Sequence, residues 1–406
     1  MNNISQVINK DLCVSCGACA SICPRDIISL KLIEGSFRAT ISDTDKCTDC
    51  GLCLKVCPSY HNDLASFSKE NLFTGTYSDC FVAHSSEKSI RKNGASGGVI
   101  TKIILELLGR GLYKKAAVVK YDNFDSTQAE YTITSDRQEI ITAAKSKYIS
   151  VSTVKILEFL KTNPTTPLIV VATPCQIYSI KSYCELRKIS CENILFLGLF
   201  CEHTLNYNIY NFFTETYGDY QKFYFRSKYK KGWPGHTLIT QNGENKIIHR
   251  RVRMALKPYF KLNRCRHCFD KLNSKADISF GDCYIKGTHS KKGKSSIIIR
   301  TSKAREALSQ IKDSLVLSEG NFTDIAHSQH IAGLESNYTN AYNMQNQMYI
   351  NYPYTPSQTT DDKQYNTSYS MLRMGAKAQY SQISTLIQDK IRRKSFIAKL
   401  IKKLIK

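Results

Sequence analysis

The chain has 406 residues, 42% of them hydrophobic, with 57 Lys and Arg against 34 Asp and Glu. That length holds two or three domains around a sizeable core, and the composition is that of a soluble globular protein rather than a disordered chain. No run approaches the ~18 apolar residues of a spanning helix, and Met1 to Asp11 contains no apolar signal segment, so the sixteen cysteines are expected to stay reduced in a cytoplasmic setting.

The formal net charge of +23 is concentrated. Residues 1–60 are neutral, with six basic and six acidic residues. Residues 221–275 hold fifteen basic residues against Glu244 and Asp270, a net of +13, and the last twenty hold eight against Asp389, a net of +7. Two such blocks point to an anionic partner; nucleic acid is not expected among them.

Two segments repeat at an offset of 34 residues: Cys13-Val-Ser-Cys16-Gly-Ala-Cys19-Ala-Ser-Ile-Cys23-Pro24 and Cys47-Thr-Asp-Cys50-Gly-Leu-Cys53-Leu-Lys-Val-Cys57-Pro58. Both fit the C-x2-C-x2-C-x3-C-P spacing of bacterial ferredoxins. A four-iron cluster needs four thiolates around one small volume, and Gly17 or Gly51 lets each loop curl around it. In this arrangement the fourth cysteine of each run serves the other cluster. Cys13, Cys16, Cys19 and Cys57 then hold one 4Fe-4S cluster, and Cys47, Cys50, Cys53 and Cys23 the second. Structural zinc sites usually pair two Cys-x-x-Cys clips and do not crowd three cysteines into one loop. Ile27 to Ile33 and Phe37 to Ile41 read as a small hairpin between the repeats.

After residue 65 the pattern changes. Cys80 to His84, Ala116 to Lys120, Leu168 to Ala172 and Ile194 to Phe200 are short apolar runs suited to buried strands, and Val99 to Leu108 and Val154 to Leu160 read as helices between them. The expectation is an α+β ferredoxin-like module over 1–65 followed by a larger α/β domain over 66–334. The turn Asn93-Gly-Ala-Ser96-Gly97-Gly98 opens a helix, where backbone N–H groups favour a phosphate; a plain N-cap by Ser96 is the alternative. Cys80, Cys184, Cys191 and Cys283 have no partner spacing and read as buried small hydrophobes. Cys175 and Cys201 follow strands, and Cys265 and Cys268 form a clip. Together these four suit a third cluster, a zinc clip or a redox pair.

Taken together, Ser96-Gly97-Gly98 with Thr101, Ser146-Lys147-Tyr148, Thr173-Pro174-Cys175-Gln176-Ile177, Gly198-Leu-Phe-Cys201, Cys265-x-x-Cys268 and Ala276 to Asp282 resemble the beta subunit family of coenzyme F-420-reducing hydrogenases and dehydrogenases over about residues 1–330. The resemblance implies an iron–sulfur flavoprotein, with FAD or FMN passing electrons between clusters and a two-electron small-molecule acceptor. It implies a third 4Fe-4S cluster on Cys175, Cys201, Cys265 and Cys268, and flavin contacts at Ser96, Gly97, Gly98, Lys147 and Asp282. Glu202-His203-Thr204 departs from the family's usual His-Gly after this cysteine. An acidic ferredoxin-like donor suits the basic block. The other reading is a non-catalytic electron-relay subunit.

Residues 335–387 are rich in Asn, Gln, Tyr, Ser and Thr and read as a polar linker with one helix near Tyr369 to Ile387. Over 388–406, Phe396, Ile397, Leu400, Ile401, Leu404 and Ile405 fall on one helical face and lysines on the other. Such a basic amphipathic helix suits an anionic membrane surface, placing the protein peripherally on the inner face, or docking on the protein's own core with its lysines in water.

Overall fold

The computed structural model describes residues 2–60, 68–121, 128–344, 354–357 and 362–404, excepting the side chains of 362–365 and 394–404. Near the N-terminus, β1 (Ile28–Ile33) and β2 (Ser36–Ile41) form the expected hairpin, in register from Ile28 opposite Ile41 to Ile33 opposite Ser36. Two short helices, Ala18–Ile22 and Leu52–Lys55, follow the two cysteine loops. Each is entered through a left-handed glycine, Gly17 at φ 78° and Gly51 at φ 72°, a conformation that side-chain-bearing residues resist.

The body is built on an eight-stranded mixed sheet. Its strands are β3 (Asp79–Ser85), β4 (Lys115–Tyr121), β5 (Ala129–Thr134), β6 (Leu168–Ala172), β7 (Ile194–Leu199), β11 (Ile278–Asp282), β12 (Ser295–Ile299) and β13 (Leu315–Glu319), in the spatial order β13-β3-β12-β11-β7-β6-β4-β5. The central four, β4, β6, β7 and β11, run parallel, and antiparallel strands flank them on both sides. Their near-continuous apolar runs follow from burial on both faces. Leu168, Val170 and Ala172 point into one core with the helices Val154–Thr162 and Pro174–Leu186, and Ile169 points into the other with Val99–Gly109 and Ser302–Ser309. A separate three-stranded meander, β8 (Lys222–Ser227), β9 (His236–Gln241) and β10 (Glu244–Ile248), lies between the helices Asn208–Tyr217 and Arg250–Phe260.

The cysteine-rich module shares its core with the body. Val14, Ile22 and Val56 pack in the same cluster as Ile156, Leu157 and Tyr207, and Phe37 meets Tyr207 edge-on at 5.3 Å. The Cys16 carbonyl accepts from both the backbone N–H and the hydroxyl of Thr153, each at 2.8 Å. Arg264 donates to the Pro58 carbonyl at 3.2 Å.

The stretch read as a polar linker contains packed structure. Helix Glu335–Asn343 buries Tyr338 and Ala341. In place of one helix near Tyr369 to Ile387 there are two, Asp362–Ala376 and Tyr380–Leu404, because Ala378 turns left-handed at φ 58° between them. Tyr380, Ile383 and Ile387 enter the main core beside Phe212 and Phe260, spaced as one helical stripe. Arg373 pairs with Glu34 of the N-terminal hairpin turn through two contacts of 2.8 Å. The terminal face from Phe396 to Lys406 lies outside the described side chains. No described helix is long and apolar enough to cross a membrane.

Ile383 is fully buried, so Ile383→Ala should destabilise the body by about 2–5 kcal/mol and Ile383→Val by about 0.5–1.5. Urea unfolding followed by tyrosine fluorescence checks this; a helix resting loosely outside the core would leave both midpoints unmoved.

Candidate functional site

The parallel strands deliver their C-terminal ends to one edge of the sheet, where open α/β sheets form their ligand crevices. Three features converge there: a cysteine set, a turn of small residues, and a group of buried cations.

In the N-terminal module Cys13, Cys16, Cys19 and Cys57 lie near one another. Burial pushes the Cys16 and Cys57 thiols up to about 12, and Cys57 and Cys13 in turn repel Cys16. Burial raises Cys19 further, with Cys16, Cys13 and Cys57 adding repulsion. Cys23, Cys47, Cys50 and Cys53 line one cavity together with Pro24, Ile28 and Ile41. Cys53 rises to about 11 through burial and through Cys50 and Cys23. The two sets adjoin, for Cys19 also lies within electrostatic reach of Cys53.

Cys175, Cys201, Cys265 and Cys268 are likewise brought together. Cys175 sits in the first turn of Pro174–Leu186, whose capping box pairs Thr173 and Gln176. Cys201 follows β7, and Cys265 lies in the 3-10 turn Asn263–His267 just before Cys268. Burial pushes Cys175 up to about 12, with repulsion from Cys265, Cys268 and Cys16; Cys201 is raised well beyond its ordinary value by burial and the other three. The electrostatic reach of Cys16 to Cys175 makes this set a neighbour of the first. Arg264 stands between the two, acting on Cys57 and on Cys268. Among the described residues no three such side chains converge at the spacing of a single metal ion. Four buried thiols that repel one another suit a polynuclear cationic core, which draws off their protons.

The turn at Ser96 packs closely against β3 and β12. A Cβ on Gly97 would lie 2.7 Å from the Ala83 carbonyl, and the Gly97 N–H already donates to Ser295 Oγ at 3.2 Å. Its small size is thus required by the sheet itself. Gly98, at φ 74°, heads the eleven-residue helix Val99–Gly109 with no side-chain cap, so the first-turn N–H groups lack intrahelical partners. Ser96 donates to the Lys294 carbonyl and lies within hydrogen-bond reach of Asp282.

Asp282 is held by three hydrogen bonds from two side chains. Arg226 grips both carboxylate oxygens at 2.6 and 2.9 Å, and Trp233 Nε1 donates at 2.8 Å. Burial opposes its charge, yet these donors keep its carboxyl below the ordinary range. Lys147 points away from this group. Its ammonium donates to the carbonyls of Ala143, Ala144 and Lys145, closing the helix Arg137–Thr142, and burial lowers it to about 7. The cations beside the turn are others. Lys145 reaches Asn93 Oδ1 at 2.8 Å, and Lys228 donates to the carbonyls of Ser96, Arg91 and Lys292. Burial, then Arg91 and Arg226, lower Lys228 to about 8, and burial lowers Lys145 and Arg253. Trp233 and Tyr284 line the same place, their rings 5.0 Å apart. Tyr148, whose hydroxyl lies 3.4 Å from Arg226, stacks toward His203, two residues past Cys201. Arg226, Lys228 and Arg253 belong to the basic block of the sequence, which was the available signal; their convergence with Lys145 and Trp233 depends on the meander.

Asp282→Asn leaves the buried Arg226 guanidinium without its counter-charge and should cost about 3–5 kcal/mol, read by urea unfolding. Arg226→Met combined with Asp282→Leu should cost less than either single change, because no charge is then stranded.

Comparisons with known proteins agree with this architecture. Residues 80–158 match the N-terminal part, and residues 166–325 the C-terminal part, of the coenzyme F-420 hydrogenase/dehydrogenase beta subunit. Residues 12–60 match a 4Fe-4S dicluster domain. The chain is 26% identical over 333 residues to the coenzyme F-420-dependent sulfite reductase of Methanocaldococcus jannaschii, covering 78% of this chain and 48% of that protein. It is 23% identical over 257 residues to the coenzyme F-420 hydrogenase subunit beta of Methanococcus voltae, covering 62% of this chain and 87% of the relative. It thus spans about half the length of the sulfite reductase. A chain of the F-420-reducing NiFe hydrogenase complex from Methanosarcina barkeri shares the fold at a TM-score of 0.52 and 19% identity, over 68% of this chain and 94% of that one. With both halves of the body matched and the doubled cysteine motif at its N-terminus, the chain belongs to the coenzyme F-420 hydrogenase/dehydrogenase beta subunit family and carries a 4Fe-4S dicluster domain.

Proposed function

We propose that this chain is an iron–sulfur flavoprotein oxidoreductase that takes electrons from a low-potential, ferredoxin-like donor and delivers them in pairs to a small-molecule acceptor. The observation that carries the reading is that three four-thiol sets lie in series within electrostatic reach of one another. Cys53 adjoins Cys19, and Cys16 adjoins Cys175, so the sets run from the exposed edge of the module, where Cys50 is open to solvent, into the body. Closely spaced carriers of this kind suit one-electron transfer, and a flavin, when bound, supplies the conversion to two-electron chemistry.

Two features support an anionic cofactor at the turn. Arg91, Lys145, Arg226, Lys228 and Arg253 lower or oppose one another across a partly buried space, with Asp282 as their shared carboxylate. A phosphate-bearing ligand relieves that repulsion, and the uncapped helix start at Gly98 offers it backbone donors. In this reading Ser96 and Gly98 hold the phosphate, Lys228 and Lys145 neutralise it, and Asp282 acts by orienting Arg226 and Trp233. Gly97 serves the turn's packing, and Lys147 fixes the loop that carries Lys145 and Tyr148. The relay-subunit reading differs in requiring no flavin.

The full chain reconstituted without oxygen should hold about 12 iron atoms, three four-iron clusters. Cys265→Ala with Cys268→Ala should lower this to about 8; unchanged iron would assign the third set another role. Extraction should yield FAD or FMN by fluorescence and mass, and a fully loaded chain that takes up neither would favour the relay.

Flavin binding should also take up protons. Lys228 is held near 8, and a phosphate beside it raises it toward the ordinary lysine value, so at pH 8 the complex holds more protons than the free protein. Because a group held near 8 is already half protonated at that pH, calorimetry in two buffers of different ionisation enthalpy should show uptake of up to about half a proton. Lys228→Met should abolish most of it.

A further inference from the structure

Four cysteines lie outside the three thiol sets. Cys80 is buried alone, and Cys283 shares a hydrogen bond with Thr288 Oγ1 at 3.1 Å. Cys184 and Cys191, which look unrelated in the sequence, meet in the fold. Cys184 is fully buried in the last turn of Pro174–Leu186. Past it the chain reverses through Lys188, at φ 56°, and the Ile189 N–H donates to the Cys184 carbonyl at 2.8 Å. This hairpin-like return packs Cys191 against the core that holds Cys184 and sets the two thiols side by side.

The surroundings of the two thiols differ. Cys191 is partly exposed, whereas Cys184 is buried. Lys303 donates to the carbonyl oxygens of Cys191, at 3.2 Å, and Ile194, which fixes the start of β7. Lys181, one turn before Cys184, adds a second ammonium nearby, with Asp277 opposing. The adjoining Cys184 lowers the Cys191 thiol while its own is raised, and both lysines add to the first effect. An accessible thiol with thiolate character, next to a protonated thiol in contact, is the arrangement of an attacking and a resolving cysteine. The pair is separate from the neighbouring thiol set, because Cys175 lies nine residues back on the same helix, about 14 Å along its axis.

We propose that Cys191 and Cys184 form a dithiol modification site that reacts with a low-molecular-weight disulfide and closes into an intramolecular disulfide. Cys191 Sγ attacks one sulfur of the small disulfide, forming a mixed disulfide and expelling one thiolate. Cys184 then gives its proton to that thiolate and attacks Cys191 Sγ, forming the Cys184–Cys191 bond and expelling the second thiolate, which takes a proton from solvent. The two protein thiols are oxidised and one small disulfide is reduced to two thiols. The product ties the end of the helix that starts at Cys175 to the loop that feeds β7, the strand preceding Cys201.

The test uses the full, cluster-loaded chain with glutathione disulfide under anaerobic conditions, and cluster absorbance is followed throughout. Remaining thiols are blocked with N-ethylmaleimide and the protein is digested with trypsin. Cleavage after Lys181, Arg187 and Lys188 places the two cysteines on separate peptides. The expected result is a disulfide-linked pair containing Cys184 and Cys191 while cluster absorbance is unchanged. Cys191→Ser should lose the linked pair with Cys184 left free, and Cys184→Ser should leave Cys191 carrying one glutathione. Recovery of both wild-type peptides fully alkylated would overturn the proposal. So would a wild-type Cys191 that keeps glutathione without closing the ring.

Discussion

Thiolates gathered in a dry space repel one another, and this chain gathers them repeatedly. Each set draws on pieces of chain that only the fold can join. Cys57 crosses to the loop of Cys13, Cys16 and Cys19, and Cys23 crosses to the loop of Cys47. Cys175 and Cys201 arrive from the ends of two neighbouring parallel strands, β6 and β7. The Cys265–Cys268 clip arrives just ahead of β11, which pairs with β7. The strand order is therefore what lets the third set close. The repulsion is tolerated in a folded protein because the thiols remain protonated until a cationic core replaces their protons.

The opposite problem stands a short way off. Lys228 and Arg253 are cations in partial burial beside Arg226 and Lys145, with Asp282 the carboxylate among them, so this side is short of negative charge. Tyr148 and His203 lie between the two regions, with ring centres 6.4 Å apart. The meander β8–β10 supplies most of the cationic side, and its attachment beside the sheet explains why the basic block does not simply coat the surface.

Much of this was legible in the sequence where local spacing encodes chemistry. The doubled cysteine run specifies its own loops, and the left-handed Gly17 and Gly51 are where the curl was expected. Continuous apolar runs marked β4, β6 and β7 because strands covered on both faces have no polar side to show. What was illegible depends on long-range packing. Lys147 and Lys145 are two residues apart in a short irregular loop, and only tertiary contacts decide which one faces the turn. The glycine at Gly97 reads as a ligand cradle, but the Ala83 carbonyl behind it shows that the sheet demands it. Polar composition hid the stripe of Tyr380, Ile383 and Ile387, because a helix with one narrow buried face is mostly polar.

The pairing of Glu34 with Arg373 joins residues 339 positions apart. Arg264 reaches back to Pro58 across 206 positions and Thr153 to Cys16 across 137. A ribosome making ~5–20 residues each second delivers the cysteine loops many seconds before the residues that clasp them. Assembly of the finished module is thus tied to completion of the chain. During that interval the growing polypeptide carries eight unprotected ferredoxin thiols, which makes synthesis the stage at which the protein is most vulnerable to stray metals and oxidants.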